Sequence, residues 1–173
     1  EEAAGSTLFL DEIGDIGAAI QAKLLRVMET STFRRLGGNK TLTADARFVA
    51  ATNRDIEAMG RSGSFRSDLY FRLSRFVITV PPLRSRREDI EPNLQYELER
   101  FAAKTGRKVT INKEARQRFL AFAESSEAAW TANFRDLNAA VTRMATLSHS
   151  GRITGDDVQG EMLWCHPFGG GYG

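Results

Sequence analysis

Thr7-Leu8-Phe9-Leu10-Asp11-Glu12 is the stretch that most constrains this chain: a water-avoiding run of four that ends in two adjacent carboxylates. The run reads as a buried strand. The carboxylates then stand at its C-terminal end, where open α/β sheets place their ligands. Consecutive residues there point in different directions, so one can hold a cation while the other polarises a water. That is the division of labour in Mg²⁺-dependent phosphoryl hydrolysis. On these six residues alone, a core strand followed by a solvated turn is the simpler reading.

Downstream, Gly14-Asp15-Ile16-Gly17 makes a turn. Ile20, Leu24, Val27 and Met28 then recur at helical spacing, a stripe that packs on a core. Thr32-Phe33-Arg34-Arg35-Leu36 and Thr41-Leu42-Thr43 flank Gly37-Gly38-Asn39-Lys40, which reads as a hairpin. Arg47-Phe48-Val49-Ala50-Ala51-Thr52-Asn53 is a second buried strand that delivers polar groups at its tip. A Thr-Asn pair also suits an ordinary turn. Short helices are expected near residues 55–59 and over 65–73. Arg66 and Arg72 are six apart, so they do not share one tight helical face, but they can converge if Arg66 lies at the loop–helix junction. Phe76-Val77-Ile78-Thr79-Val80 reads as a third strand, stopped by Pro81-Pro82 at a domain boundary.

From there the chain reads as helical. Ile90, Leu94, Leu98 and Phe101 space one amphipathic helix, with Gly106 as its C-cap. Asn112 caps a second, with Phe119 and Phe122 inward. Residues 125–132 form a connector anchored by Trp130. Asn133 caps a third helix carrying Leu137, Val141, Met144 and Ala145, which Gly151 ends. Thr154-Gly155-Asp156-Asp157 starts a short fourth, with Val158 and Met162. Gly169-Gly170-Gly171-Tyr172-Gly173 is low-complexity and expected to be disordered.

Composition narrows the class. The 173 residues are 42% hydrophobic and 27% charged, which suits an ordinary globular protein of one large or two small domains. No apolar run approaches membrane-spanning length and no signal peptide is evident. The single cysteine, Cys165, allows no internal disulfide and suits a reducing, cytoplasmic compartment. His149 and His166 are too few for a His-based metal site. Net charge is only +2, but seven arginines and one acid, Asp68, fall between Arg61 and Arg87. Arginine without lysine suits bidentate capture of phosphate or carboxylate. A solvated basic face or a nucleic-acid-binding module would also account for the run, although it lacks interleaved lysines and aromatics for base stacking.

Four stretches stand in a telling order: Gly-Ser-Thr-Leu-Phe-Leu-Asp-Glu from Gly5, Ala50-Ala51-Thr52-Asn53-Arg54-Asp55, Phe65-Arg66-Ser67-Asp68-Leu69-Tyr70-Phe71-Arg72-Leu73, and Asn133-Phe134-Arg135-Asp136-Leu137. With Gln21-Ala22-Lys23-Leu24-Leu25-Arg26-Val27 and Pro81-Pro82-Leu83-Arg84-Ser85-Arg86, the set resembles the AAA+ ATPase domain of the sigma-54-dependent transcriptional activators, the bacterial enhancer-binding proteins. The helix from Asn133 looks most like the branch that controls an RNA terminal-phosphate cyclase (RNA repair) operon. The resemblance implies an α/β fold. It would be the C-terminal part of an AAA+ parallel sheet, three strands plus a hairpin over residues 1–82. An all-α lid would follow over 83–163, then a flexible tail over 164–173. It implies ATP and Mg²⁺ as cofactors, with Asp11 holding the metal and Glu12 activating water as the Walker B pair. Thr52 and Asn53 would be sensor I. Arg66 and Arg72 would be arginine fingers that reach a neighbouring subunit, and Arg135 would be sensor II over the nucleotide. It further implies sigma-54 RNA polymerase as partner, a hexameric or heptameric ring, and contact with promoter-upstream DNA through a domain not present here. An AAA+ ATPase of another clade is the alternative.

Departures from the pattern are Ala132 for the usual Gly, Asp136 for the usual Glu, and Ile16-Gly17 for Leu-Pro. No Gly-x-x-x-x-Gly-Lys-Ser/Thr and no Gly-Ala-Phe-Thr-Gly-Ala occurs in the 173 residues. The chain therefore reads as a fragment, the second half of an ATPase domain, inactive without its phosphate cradle. In the family the P-loop strand lies between the sensor I strand and the strand at 76–80. The sensor I strand is accordingly expected either to keep an open edge, through which the chain self-associates, or to be closed by residues 76–80.

Overall fold

The structure, a computed structural model, describes residues 3–164. Cys165, His166 and the expected tail at 169–173 lie outside the described residues. Two compact units divide between Thr79 and Val80.

In the first unit, β1 (Ser6–Leu10) pairs in parallel with β4 (Ala46–Ala50), in register from Ser6 opposite Ala46 to Leu10 opposite Ala50. Between them lie α1 (Ala18–Thr30) and the antiparallel pair β2 (Thr32–Arg34) and β3 (Thr41–Thr43). Two short helices follow, α2 (Ile56–Arg61) and α3 (Ser67–Leu73). Ile13, Leu25, Phe65 and Leu69 form the core, with Leu10 and Ala50 packed against it at the ends of the two parallel strands. Only part of the expected stripe of α1 faces this core, with Leu24 and Met28 packed against it. Gln21 and Leu25 are buried while Ile20 is exposed, because α1 packs mainly on α3 and the first turn of the helix faces the loop before it.

Residues 76–80 form no strand, so the parallel sheet has two strands instead of three. Phe76, Val77, Ile78 and Val80 are all exposed. Strand preference is largely a fit to a pleated, half-covered surface, and among the described residues no ladder partner reaches this segment. Among the described residues β4 is flanked by β1 alone, so its far edge is open there and residues 76–80 do not close it. For the same reason β1 is less buried than expected. Phe9 and its register partner Val49 lie exposed, since nothing in the unit covers that face.

The second unit holds α4 (Ile90–Thr105), α5 (Lys113–Ala123), α6 (Phe134–Leu147) and α7 (Gly155–Trp164). Its core is continuous, from Leu94 and Leu98 through Phe119 and Phe122 to Leu137, Val141 and Met144. Two helix ends are specified by the expected residues, whereas α6 stops at Leu147, four residues before Gly151. Asn112 Oδ1 accepts the Ala115 N–H at 2.7 Å, and Gly106 takes the left-handed conformation at φ 70°. Trp130 is buried, its indole N–H donating to the Ala123 carbonyl at 2.8 Å. A two-residue parallel pair, β5 (Thr110–Ile111) and β6 (Arg152–Ile153), is too short to leave a periodic signal in sequence. Gly151 beside it is obligatory: a Cβ there would stand 2.6 Å from the Lys108 carbonyl oxygen.

Asn133 occupies the N-cap position of α6 but does not cap it. Its backbone lies at φ 56°, ψ −127°, and its Oδ1 instead accepts the Leu83 N–H at 2.8 Å. Asp136 serves the helix entrance, accepting the Ala132 N–H at 2.7 Å. A carboxylate one methylene shorter than glutamate is the reach this geometry uses.

Leu137 is fully buried and Tyr96 is 58% exposed. Leu137→Ala should cost about 2–5 kcal/mol, and Tyr96→Ala about 0.5 kcal/mol or less. Urea denaturation followed by circular dichroism reads both. Equal shifts in midpoint would contradict the described core.

Candidate functional site

The acidic turn begins where β1 ends. Asp11 Oδ1 accepts the Glu12 N–H at 2.9 Å, and Glu12 lies in the left-handed region at φ 52°, ψ 41°. For a residue with a Cβ that conformation costs about 1–3 kcal/mol, and such strain tends to collect where side chains must be aimed. The chain then tightens into a 3₁₀ turn at Ile13–Asp15, anchored by buried Ile13. Both carboxylates stay exposed.

A second polar tip lies beside the first. The parallel ladder continues past Ala50, with Ala51 N–H donating to the Leu10 carbonyl at 2.9 Å and Ile13 N–H to the Ala51 carbonyl at 3.0 Å. Thr52 and Asn53 follow at once. Thr52 Oγ1 accepts the Arg54 N–H at 3.1 Å, and Arg54 reaches across to Asp15 at 2.5 Å. That pair is exposed and contributes little. Close approach of the two turns depends on Gly14, where a Cβ would stand 2.7 Å from Thr52 Oγ1. Asp11, Glu12, Thr52 and Asn53 are thus carried on adjacent strand ends. Mg²⁺ sites commonly use one or two carboxylates, with phosphate and water supplying the rest. Asp11, exposed and with Oδ2 uncommitted among the described residues, fits that donor set.

Arg66 and Arg72 each hold a partner of their own. Arg66 is the N-cap residue of α3, at the loop–helix junction. Its guanidinium forks onto Asp68, with Nε to Oδ1 at 3.0 Å and Nη2 to Oδ2 at 2.6 Å. This bidentate geometry is the strong form of such a pair. Arg72 Nη2 donates to the Met28 carbonyl, 2.7 Å away near the end of α1. Each is therefore held by its own chain. Arg135 lies in the second unit, exposed in the first turn of α6, and its guanidinium has no partner among the described residues.

Two family models match. One, described as the sigma-54 interaction domain, covers residues 1–79, and the other, the AAA+ ATPase lid domain, covers residues 84–166. The chain belongs to the sigma-54-dependent activator family. It is 51% identical over 158 residues to the transcriptional regulatory protein RtcR of Escherichia coli (strain K12), covering 91% of this chain and 30% of RtcR. It is 42% identical over 158 residues to the Nif-specific regulatory protein of Azotobacter vinelandii, covering 91% of this chain and 29% of that protein. The chain thus spans roughly a third of the length of the curated relatives it matches. Crystal structures of NtrX from Brucella abortus are similar. The complex with ATP has TM-score 0.77 and 32% identity, covering 93% of this chain and 37% of NtrX. The complex with ADP has TM-score 0.76 and 33% identity, covering 90% and 36%.

In this sigma-54 activator chain the arginine run is not a single basic face. Arg61 pairs with Glu57, Arg66 with Asp68 and Arg86 with Asp89. Arg72 and Arg87 donate to the carbonyls of Met28 and Glu124. The run also crosses from one unit to the other. Two residues of the site escaped the sequence reading. Asp68 appeared only as the lone acid of the run. Gln21, 2% exposed, was hidden among the apolar positions of α1. A glutamine three, four and seven residues before Leu24, Leu25 and Met28 was the available signal.

The Arg66 hydrogen bond holds the Asp68 carboxyl below its ordinary value of 3.8, and Asp68 in turn raises the Arg66 guanidinium. For a depressed carboxyl, the stabilisation is complete above the ordinary value and disappears as pH falls through the lowered one. The fork should stay closed through neutral and mildly acidic pH and open only in stronger acid. An NMR titration of the Asp68 carboxyl carbon should give a midpoint below 3.8, moving up in Arg66→Gln. A midpoint at or above 3.8 in the unaltered chain would show that the fork does not hold in solution.

Proposed function

We propose that these residues form the hydrolytic and sensing half of an ATP-driven activator that remodels sigma-54 RNA polymerase for promoter opening. The observation that carries the reading is the pair of adjacent parallel strand ends presenting Asp11 and Glu12 beside Thr52 and Asn53. In this reading residues 1–82 are the α/β part, residues 83–163 the lid, and residues 164–173 a tail. Asp11 holds Mg²⁺, which when bound neutralises charge on the phosphates. Glu12 takes a proton from the attacking water. Thr52 and Asn53 bond the terminal phosphate. Arg135 bonds the nucleotide of its own subunit.

Arg66 and Arg72 act on the neighbouring subunit's site in a hexameric or heptameric ring. To do so they exchange Asp68 and the Met28 carbonyl for phosphate oxygens, ligands of the same hydrogen-bonding kind and higher charge. Upstream DNA is bound through a domain outside these residues. Identity to RtcR supports an RNA repair operon as the target. Turnover belongs to the longer protein, since no P-loop sequence is present among the 173 residues.

In the longer protein, Glu12→Gln should retain ATP binding and lose roughly 10²–10⁴-fold in turnover. Arg66→Ala subunits, reduced but still measurable in turnover, should recover part of the lost activity when mixed with Asp11→Ala subunits. Coupled-enzyme assays across mixing ratios measure both. Undiminished turnover in Glu12→Gln would remove the carboxylate from its role, and absence of rescue at every ratio would place the arginines in cis.

A further inference from the structure

Gln21 is the buried polar side chain of the first unit, set in the first turn of α1 against the core. Both ends of its amide are used. Nε2 donates to the Ile16 carbonyl at 3.0 Å and, more loosely, to the Ser64 carbonyl at 3.4 Å. Oε1 accepts the Arg66 N–H at 2.9 Å. The partners belong to two segments more than forty residues apart in sequence. Ile16 closes the 3₁₀ turn that starts at Glu12. Ser64 and Arg66 form the entrance to α3.

A purely packing role would be served by leucine or methionine, both common on such a stripe. Either would leave the Arg66 N–H without a partner, since as the N-cap residue Arg66 has no helical acceptor, and would free the Ile16 carbonyl too. The amide is therefore selected for its polar ends. Those ends meet the acidic turn on one side and the backbone of Arg66 on the other. Nearby backbone is already fixed: Phe65 N–H donates to the Met59 carbonyl at 3.0 Å, and the Phe65 ring is buried. Arg66 is thus the first residue past a rigid anchor, and Gln21 sets where it points.

We infer that Gln21 is a positioning residue joining the Asp11-Glu12 turn to Arg66, so that one buried amide aligns a subunit's own acidic site with the arginine it offers its neighbour. The inference rests on the proposed role of Arg66. It makes the acidic turn and the arginine of the next site move together, because a displacement of Ile16 is passed through one side chain to the Arg66 backbone.

The test is a double-mutant cycle in the longer protein. Gln21→Met keeps the volume and removes the amide. Gln21→Asn keeps the amide and withdraws it by one methylene, and carries the same comparison should Gln21→Met fail to fold. Each should lower kcat by roughly 10- to 10²-fold, the scale of a misplacement of about 1 Å, with KM for ATP little changed. In an Arg66→Ala background neither should lower kcat further. Amide exchange at Arg66 should quicken in both variants while exchange in β4 stays as it was. An unchanged kcat, losses that multiply with that of Arg66→Ala, or unchanged exchange at Arg66 would each overturn the inference. If Arg66→Ala itself leaves turnover intact, the proposed role of Arg66 fails and the coupling with it. Faster exchange at Arg66 would then still identify the Gln21 bond as real, which separates the two failures.

Discussion

Register between β1 and β4 is the constraint on which the first unit depends. Parallel pairing with Leu10 opposite Ala50 brings two strand ends to the same level. Asp11, Glu12, Thr52 and Asn53 then follow within three residues of a strand end. A slip of one residue would turn Leu10 and Ala50 away from the core they pack against. The hydrophobic contacts that stabilise the unit and the alignment of Asp11 with Thr52 are thus one choice of register. Gly14 sharpens it, because two turns that nearly touch leave no room for an alternative alignment.

The arginines illustrate a different economy. A guanidinium waiting in water for a phosphate would be disordered, and ordering it later would oppose binding. Here Arg66 is held by a carboxylate and Arg72 by a helix carbonyl. On the role proposed for them, both partners are weaker competitors than a polyphosphate, which leaves the side chains pre-ordered without being locked away. The Arg66 pair is half-exposed, which keeps its stabilisation modest and the exchange easy.

Much of this was legible in sequence wherever periodicity and chemistry coincide. The helical unit shows it best: Leu94 and Leu98 of α4 and Leu137, Val141 and Met144 of α6 were marked by spacing alone, and all are buried. Asn112 and Gly106 were legible because caps have residue-specific geometry. The segment at 76–80 was misread, since strand composition cannot reveal whether a neighbouring strand exists. Ile20 was misread because a stripe that fits the spacing need not face the core along its whole length. Asn133 was legible as a helix entrance but not in its bonding, which runs fifty residues back to Leu83. Gln21 was invisible to a reading that scores apolar positions and passes over the polar one between them. Order of motifs identified the family, while long-range bonds from single side chains were beyond it.

The left-handed backbone at Glu12 has a consequence for any effort to improve this chain. Glycine takes that conformation without penalty, and asparagine or aspartate tolerates it better than glutamate does. Selection for thermal resistance alone would drift position 12 toward glycine and would be rewarded at every step. On the proposed role of Glu12, folding preference and chemistry pull apart there, and a catalogue of variants ranked by stability would place the most damaging replacement among the best.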